Sequence, residues 1–92
     1  MAKFISVHMT SCMTKQELEK LINRLLEDSS NDIKLTRCNC DTVSGRMVCE
    51  WEAGDAESLR KWLSHKNIQF RGESEWLMKV QLEVQGKVLV NL

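Results

Sequence analysis

Two amphipathic helical segments alternate with segments of strand pattern, and this order restricts the folds open to the chain more than any other sequence feature. Thr14 and Glu17 form a capping box, in which each side chain bonds the other residue's backbone N–H, and apolar residues then recur at helical spacing to Asp28. Asp55 begins a second helix as its N-cap. We predict that the inward stripes of the two helices supply the core residues Leu21, Leu25, Leu59 and Leu63.

Alternation of apolar and polar residues marks the strands. It predicts strands over Lys3–Met9, Asp32–Cys40, Arg46–Ala53 and Glu75–Val84, followed by a short extra strand from Lys87 to Leu92. Two helices can cover only one face of a four-stranded antiparallel sheet. The predicted fold is therefore α+β, a ferredoxin-like split βαββαβ arrangement with both helices on one face of the sheet, formed by residues 1–92 as a single domain.

Charge and composition exclude several classes of function. The 13 basic and 13 acidic residues cancel, so the chain lacks the positive surplus that phosphate backbones require, and we expect no nucleic-acid partner. No apolar run approaches the roughly 20 residues that span a bilayer, and no signal peptide is evident. We expect a cytoplasmic protein with reduced cysteines and no membrane partner. Zero net charge favours association, and a homodimer is expected.

Four residues emerge as candidate metal ligands. If Ile5, Val7 and Met9 face the helices, His8 lies on the open face of the sheet. The same reasoning from Ile33 and Leu35 places two thiols on that face, and a core position for Trp51 places a carboxylate there. The predicted ligands are His8, Cys38, Cys40 and Glu50. Soft thiolates with imidazole suit nickel or zinc.

Each of these residues also has an ordinary structural explanation. A histidine near a strand end can be a plain surface residue, and Glu50 can belong to a solvated charged face. Cys38 and Cys40 can act as small apolar side chains in a subunit interface. Cys12, just before the first helix, is a lesser candidate for an activated thiol, because no base is evident beside it.

The stretch 45–57, which runs from a Gly-Arg pair through Cys49 and Glu52-Ala53 to Asp55 and a helix, carries a family resemblance. It resembles small one-domain proteins of unknown function, some of them called nickel-binding proteins with a ferredoxin-like fold. The matching order of elements extends from Phe4 to Val84. The resemblance implies a dimeric ferredoxin-like protein able to bind a transition metal.

Three functions therefore remain open from the sequence. The first is a dimeric binding protein for a divalent transition metal such as nickel, or for a small molecule. The second is a cofactor-free dimeric α+β barrel enzyme of monooxygenase or isomerase type, which works in a cavity between sheet and helices. The third is a regulatory dimerisation domain. No catalytic residue is assigned, because fold alone does not fix chemistry.

Overall fold

The computed structural model describes residues 1–66 and 76–92. Two helices and six strands follow one another there, one strand more than the sequence predicts. They are β1 (Ala2–Met9), α1 (Lys15–Asp28), β2 (Ile33–Asp41), β3 (Arg46–Ala53), α2 (Ala56–His65), β4 (Leu77–Lys79), β5 (Leu82–Gln85) and β6 (Val88–Asn91). The α+β class predicted from the sequence is confirmed.

Four of the strands form an antiparallel sheet in the order β2-β3-β1-β4, with the third strand between the first and second. The predicted strand Glu75–Val84 is divided: Glu75 lies outside the described residues, and the chain leaves the sheet after Val80, whose N–H still donates to the carbonyl of Lys3 at 2.9 Å. Strand β5 then pairs with β6, the predicted extra strand, in a separate two-stranded sheet.

Both helices begin where their capping residues place them. The Thr14 hydroxyl accepts a hydrogen bond from the Glu17 N–H at 3.2 Å, and the Glu17 carboxylate accepts one from the Thr14 N–H at 3.3 Å. Asp55 accepts the Ser58 N–H at 2.7 Å at the start of α2. No helix among the described residues is long and apolar enough to cross a membrane.

One face of the four-stranded sheet packs against both helices. Leu25, Leu59 and Leu63 are completely buried, as predicted, whereas Leu21 only borders the core. The sheet contributes side chains from its three longest strands, with Trp51 the largest of them. Trp51 also meets Trp62 of α2 edge-on, with ring centroids 5.4 Å apart.

The face predicted for β1 is wrong. His8 is fully buried on the helix-facing side together with Phe4 and Ser6, while the set containing Ile5 and Val7 turns to the open face. Alternation identifies two faces but does not say which one is covered. Hydrogen bonding between buried polar groups decides it here, because the pairing of Ser6 and His8 removes most of the penalty of burying them.

The face predicted for the two cysteines of β2 is also wrong. Ile33 and Leu35 face the helices as expected, but a β-bulge between Leu35 and Arg37 inserts an extra residue and inverts the parity beyond it. Cys38 and Cys40 therefore lie on the helix-facing side. The prediction for β3 holds, since Trp51 is in the core and Glu50 is on the open face beside Arg37, with Nε and Oε2 3.9 Å apart.

Candidate functional site

A cavity of about 540 Å³ lies where β1 ends, between α1 and the sheet. This volume is within the range of about 300–1,000 Å³ found for small-molecule sites. Its apolar lining consists of Met9, Met13, Leu21 and Met47. Its polar lining consists of Thr10, Ser11, Cys12, Glu17, Lys20, Arg24 and Lys66. The lining of the cavity thus combines apolar side chains with three cations.

The connection from β1 to α1 forms one wall of the cavity. A turn in which the Met13 N–H donates to the carbonyl of Thr10 at 3.0 Å brings the chain round to the helix. The β2–β3 hairpin loop supports this turn, because the Thr10 N–H donates to the carbonyl of Gly45 at 2.8 Å. Gly45 has φ +72°, and a Cβ built there would lie 2.6 Å from the Cα of Ser11, so only glycine allows this approach.

Three of the polar residues that line the cavity are cations. Lys20 and Arg24 are four residues apart on α1 and therefore share one side of the helix. Neither makes an ion pair with any residue in the described part of the chain. Lys66, the third cation, is held by Asp28 at 2.6 Å, with its Nζ 5.0 Å from the centre of the Trp62 ring. Glu17 supplies the only lining carboxylate among the described residues.

Buried polar groups lead along β1 toward the cavity. The Trp51 indole N–H donates to Ser6 Oγ at 2.8 Å, and Ser6 Oγ lies 2.7 Å from His8 Nε2, with all three residues completely buried. Thr10 follows on the same face, and its hydroxyl is buried without a hydrogen-bond partner in the described structure. Such a group is uncommon in native proteins, and here it belongs to a residue that lines the cavity.

The four predicted metal ligands do not form one cluster. Cys38 and Cys40 are in contact through their sulfurs, 3.9 Å apart. His8 is separated from Cys40 by the buried Met47, which lies opposite both residues in the sheet. Glu50 is on the other face. No group of three His, Cys, Asp or Glu side chains within residues 1–66 and 76–92 is arranged to hold a metal ion. Binding of nickel or zinc stays a prediction from the sequence, made from the candidate ligands and from the family resemblance.

Sequence reasoning missed most of the cavity. The spacing of Lys20 and Arg24 could have indicated it, since these two cations are four residues apart and lie beside Leu21 of the apolar stripe of α1. Nothing in the sequence indicates that Met47 lines a cavity, because a buried methionine on a central strand is usually a core residue. Its place in the cavity wall depends on how far α1 extends over the sheet.

Comparison with known proteins bears on the fold. No protein-family model and no curated protein matches the chain. The solved structure of SCO4226 from Streptomyces coelicolor A3(2) superposes with a TM-score of 0.70, over 90% of this chain and 100% of that one, at 18% sequence identity. At this identity the likeness concerns the fold alone, and it shows that a natural protein of another sequence adopts this arrangement.

Proposed function

We propose that this protein binds a small organic anion in the cavity at the end of β1. The observation that carries the proposal is a lining that combines apolar side chains with Lys20 and Arg24, two cations without an ion pair among the described residues, and with one carboxylate, Glu17. An apolar body would displace water from the methionine side chains of the lining, and a carboxylate or phosphate group would meet Lys20 and Arg24. The unpartnered Thr10 hydroxyl supplies one further polar contact.

A matched ligand series tests the proposal. Thermal shift and calorimetric titration are run with aromatic and branched aliphatic carboxylates, their phosphate analogues, and neutral amides of the same shape. We expect the anions to bind and the amides to bind at least about tenfold more weakly, because a hydrogen bond to a charged group contributes about 1.5–3 kcal/mol. Equal affinity for anions and amides would contradict the assignment.

Charge-removing variants locate the site. Lys20→Gln and Arg24→Gln should each weaken anion binding by about tenfold. Lys34→Gln is the matched control, because Lys34 is an exposed cation of β2 outside the cavity and its loss changes net charge equally. If Lys34→Gln weakens anion binding as much as Lys20→Gln and Arg24→Gln do, the binding depends on net charge and not on this cavity.

A second candidate function is the cofactor-free enzyme. His8 favours it, since this buried histidine belongs to the Trp51–Ser6–His8 chain and lies beside Met47, which lines the cavity. Histidine is the side chain best suited to move a proton near neutral pH. Mass analysis of each bound ligand after long incubation separates the two functions. Conversion by the wild type and not by His8→Gln supports catalysis, and an unchanged ligand supports binding alone.

We also propose a homodimer of ferredoxin-like split βαββαβ fold. The order of elements and of strands in the sheet supports the fold assignment. The β5–β6 hairpin supports the dimer, because it carries a cluster of exposed apolar side chains that monomers rarely present to water. They are Leu82, Val84 and Leu89, which share one face of the hairpin and are all at least 60% exposed.

Sedimentation tests the dimer. Wild-type protein should sediment as twice 10.7 kDa at micromolar concentration. Val84→Lys should give monomers, because it places a charge in the apolar cluster. Val43→Lys is the control, since Val43 is 96% exposed in the β2–β3 loop and away from that hairpin. A wild-type protein that sediments only at 10.7 kDa would refute the dimer.

A further inference from the structure

Three thiols meet on the helix-facing side of the sheet, near the edge formed by β2. The Cys49 thiol donates to Cys38 Sγ at 3.7 Å, and Cys38 Sγ lies 3.9 Å from Cys40 Sγ. Cys49 is completely buried, Cys38 is half-buried and Cys40 is exposed. The middle thiol is thus open to small solutes on one side and in contact with a buried thiol on the other.

Strand geometry places Cys38 and Cys49 directly opposite each other. The Thr10 N–H donates to the Gly45 carbonyl, so the even positions of β1 share their backbone hydrogen bonds with β3. Cys49 faces Ser6, one of these positions, and its pair with Cys38 on the other side is therefore of the non-hydrogen-bonded kind. Cα atoms in such pairs are about 4.5 Å apart, inside the range of about 4.4–6.8 Å that disulfides accept.

Exposure divides the roles of these two thiols. Cys38 is half-buried and open to a small oxidant, whereas Cys49 is completely buried. Cys38 is therefore the thiol that an oxidant reaches first, and Cys49 is the neighbouring thiol in place to close a disulfide.

We propose that Cys38 and Cys49 form a peroxide-reactive dithiol site, in which Cys38 is oxidised and Cys49 closes a disulfide. In the first step the Cys38 thiolate attacks one oxygen of hydrogen peroxide, the O–O bond breaks, and sulfenic acid and hydroxide form. In the second step Cys49 sulfur attacks the sulfenic sulfur, the S–O bond breaks, and the Cys49 proton leaves with the hydroxyl group as water. Peroxide is reduced and the two cysteines are oxidised.

The remaining cysteines are built differently. Cys40 lies opposite Met47 in the sheet, so Cys49 has Cys38 and not Cys40 as its cross-strand partner. Cys38 and Cys40 are also two residues apart on one strand, which is a poor geometry for a disulfide. Cys12 is exposed on the β1–α1 connection and is absent from the thiol cluster, so it serves as the internal reference.

Peptide mapping of the intact wild-type protein tests the site. The reduced protein is treated with hydrogen peroxide, free thiols are alkylated, and disulfides are identified by mass without reduction. We expect a Cys38–Cys49 disulfide within one chain, with Cys12 still alkylated at early times. A disulfide between Cys38 and Cys40, one between chains, or oxidation confined to Cys12 and Cys40 would each overturn the proposal.

Two variants check the order of steps. Cys49→Ser should leave the sulfenic acid on Cys38, where dimedone captures it, and Cys38→Ser should leave Cys49 a thiol. Circular dichroism shows whether each variant is folded, and the wild-type map decides the question if either is not. Dimedone capture on Cys49 instead of Cys38 would refute the assigned roles.

Discussion

Removal of the Ser6 hydroxyl is the most direct test of the buried polar chain. In Ser6→Ala the Trp51 indole N–H loses its acceptor, and one ring nitrogen of His8 loses its contact, at residues that are completely buried. A buried polar group left unpaired destabilises a protein by about 1–3 kcal/mol. Because the variant adds no atoms, there is no overpacking to consider. We expect a loss of about 2 kcal/mol in the free energy of unfolding.

Urea denaturation followed by circular dichroism measures this loss. The midpoint should fall while the m-value stays constant, because the surface exposed on unfolding is unchanged. A loss of this size corresponds to a melting temperature lower by about 8–16 °C in a domain of this length. Ser64→Ala is the control, since the exposed Ser64 hydroxyl donates only to the carbonyl of Lys61, and its loss should stay within about 0.5 kcal/mol.

A double-mutant cycle separates the hydrogen bond from the packing around it. Phenylalanine has no N–H, so in a Trp51→Phe background the Ser6→Ala change should destabilise by about 1 kcal/mol less than in the wild type. Additive effects would show that Ser6 and Trp51 do not interact, and a Ser6→Ala loss below about 0.5 kcal/mol would refute the polar chain as a source of stability.

Three further outcomes follow from the packing, the turns and the caps, and all are measured by denaturation. Leu25→Ala, at a fully buried position, should destabilise by about 2–5 kcal/mol, whereas the neighbouring and half-exposed Leu26→Ala should stay within about 1 kcal/mol. Gly45→Ala should destabilise more than Gly86→Ala, because both have positive φ but only Gly45 has backbone atoms in the way of a Cβ. The hydrogen bond from the Ser58 N–H lowers the pKa of Asp55 from its ordinary value of 3.8. The ionised Asp55 carboxylate therefore adds to the free energy of unfolding above pH 3.8, and this addition is lost as the pH falls through the lower folded-state pKa. Asp55→Asn should remove this pH dependence, and an unchanged acid limb would contradict it.

Much of the fold could be predicted because its signals are local. The capping side chains of Thr14 and Asp55 bond backbone groups within three residues, so sequence spacing is sufficient to place both helix starts. The buried positions of Leu25, Leu59 and Leu63 follow from helical periodicity. The order of elements then restricts the sheet to few topologies, and the order β2-β3-β1-β4 was among them.

The candidate site could not be predicted in the same way. The prediction of its metal ligands required knowing which face of each strand packs against the helices. Alternation along a strand shows that there are two faces, but it does not show which of them is buried. The bulge after Leu35 moves the thiols of Cys38 and Cys40 to the helix-facing side of the sheet, and nothing in the local sequence indicates the bulge. The cavity itself draws on β1, α1, β3 and the end of α2, which are far apart along the chain.

The sequence by itself therefore determined the two helices with their apolar stripes and the first three strands, because each follows from the spacing of residue types a few positions apart. Only the tertiary structure decided that His8 is buried and that Cys38 meets Cys49. Both outcomes depend on partners supplied by β3, since Trp51 bonds Ser6 and Cys49 lies opposite Cys38. Local periodicity does not show which distant residues a strand will contact. Which face of the strand is buried therefore depends on hydrogen bonds and cross-strand neighbours that form only when the sheet assembles.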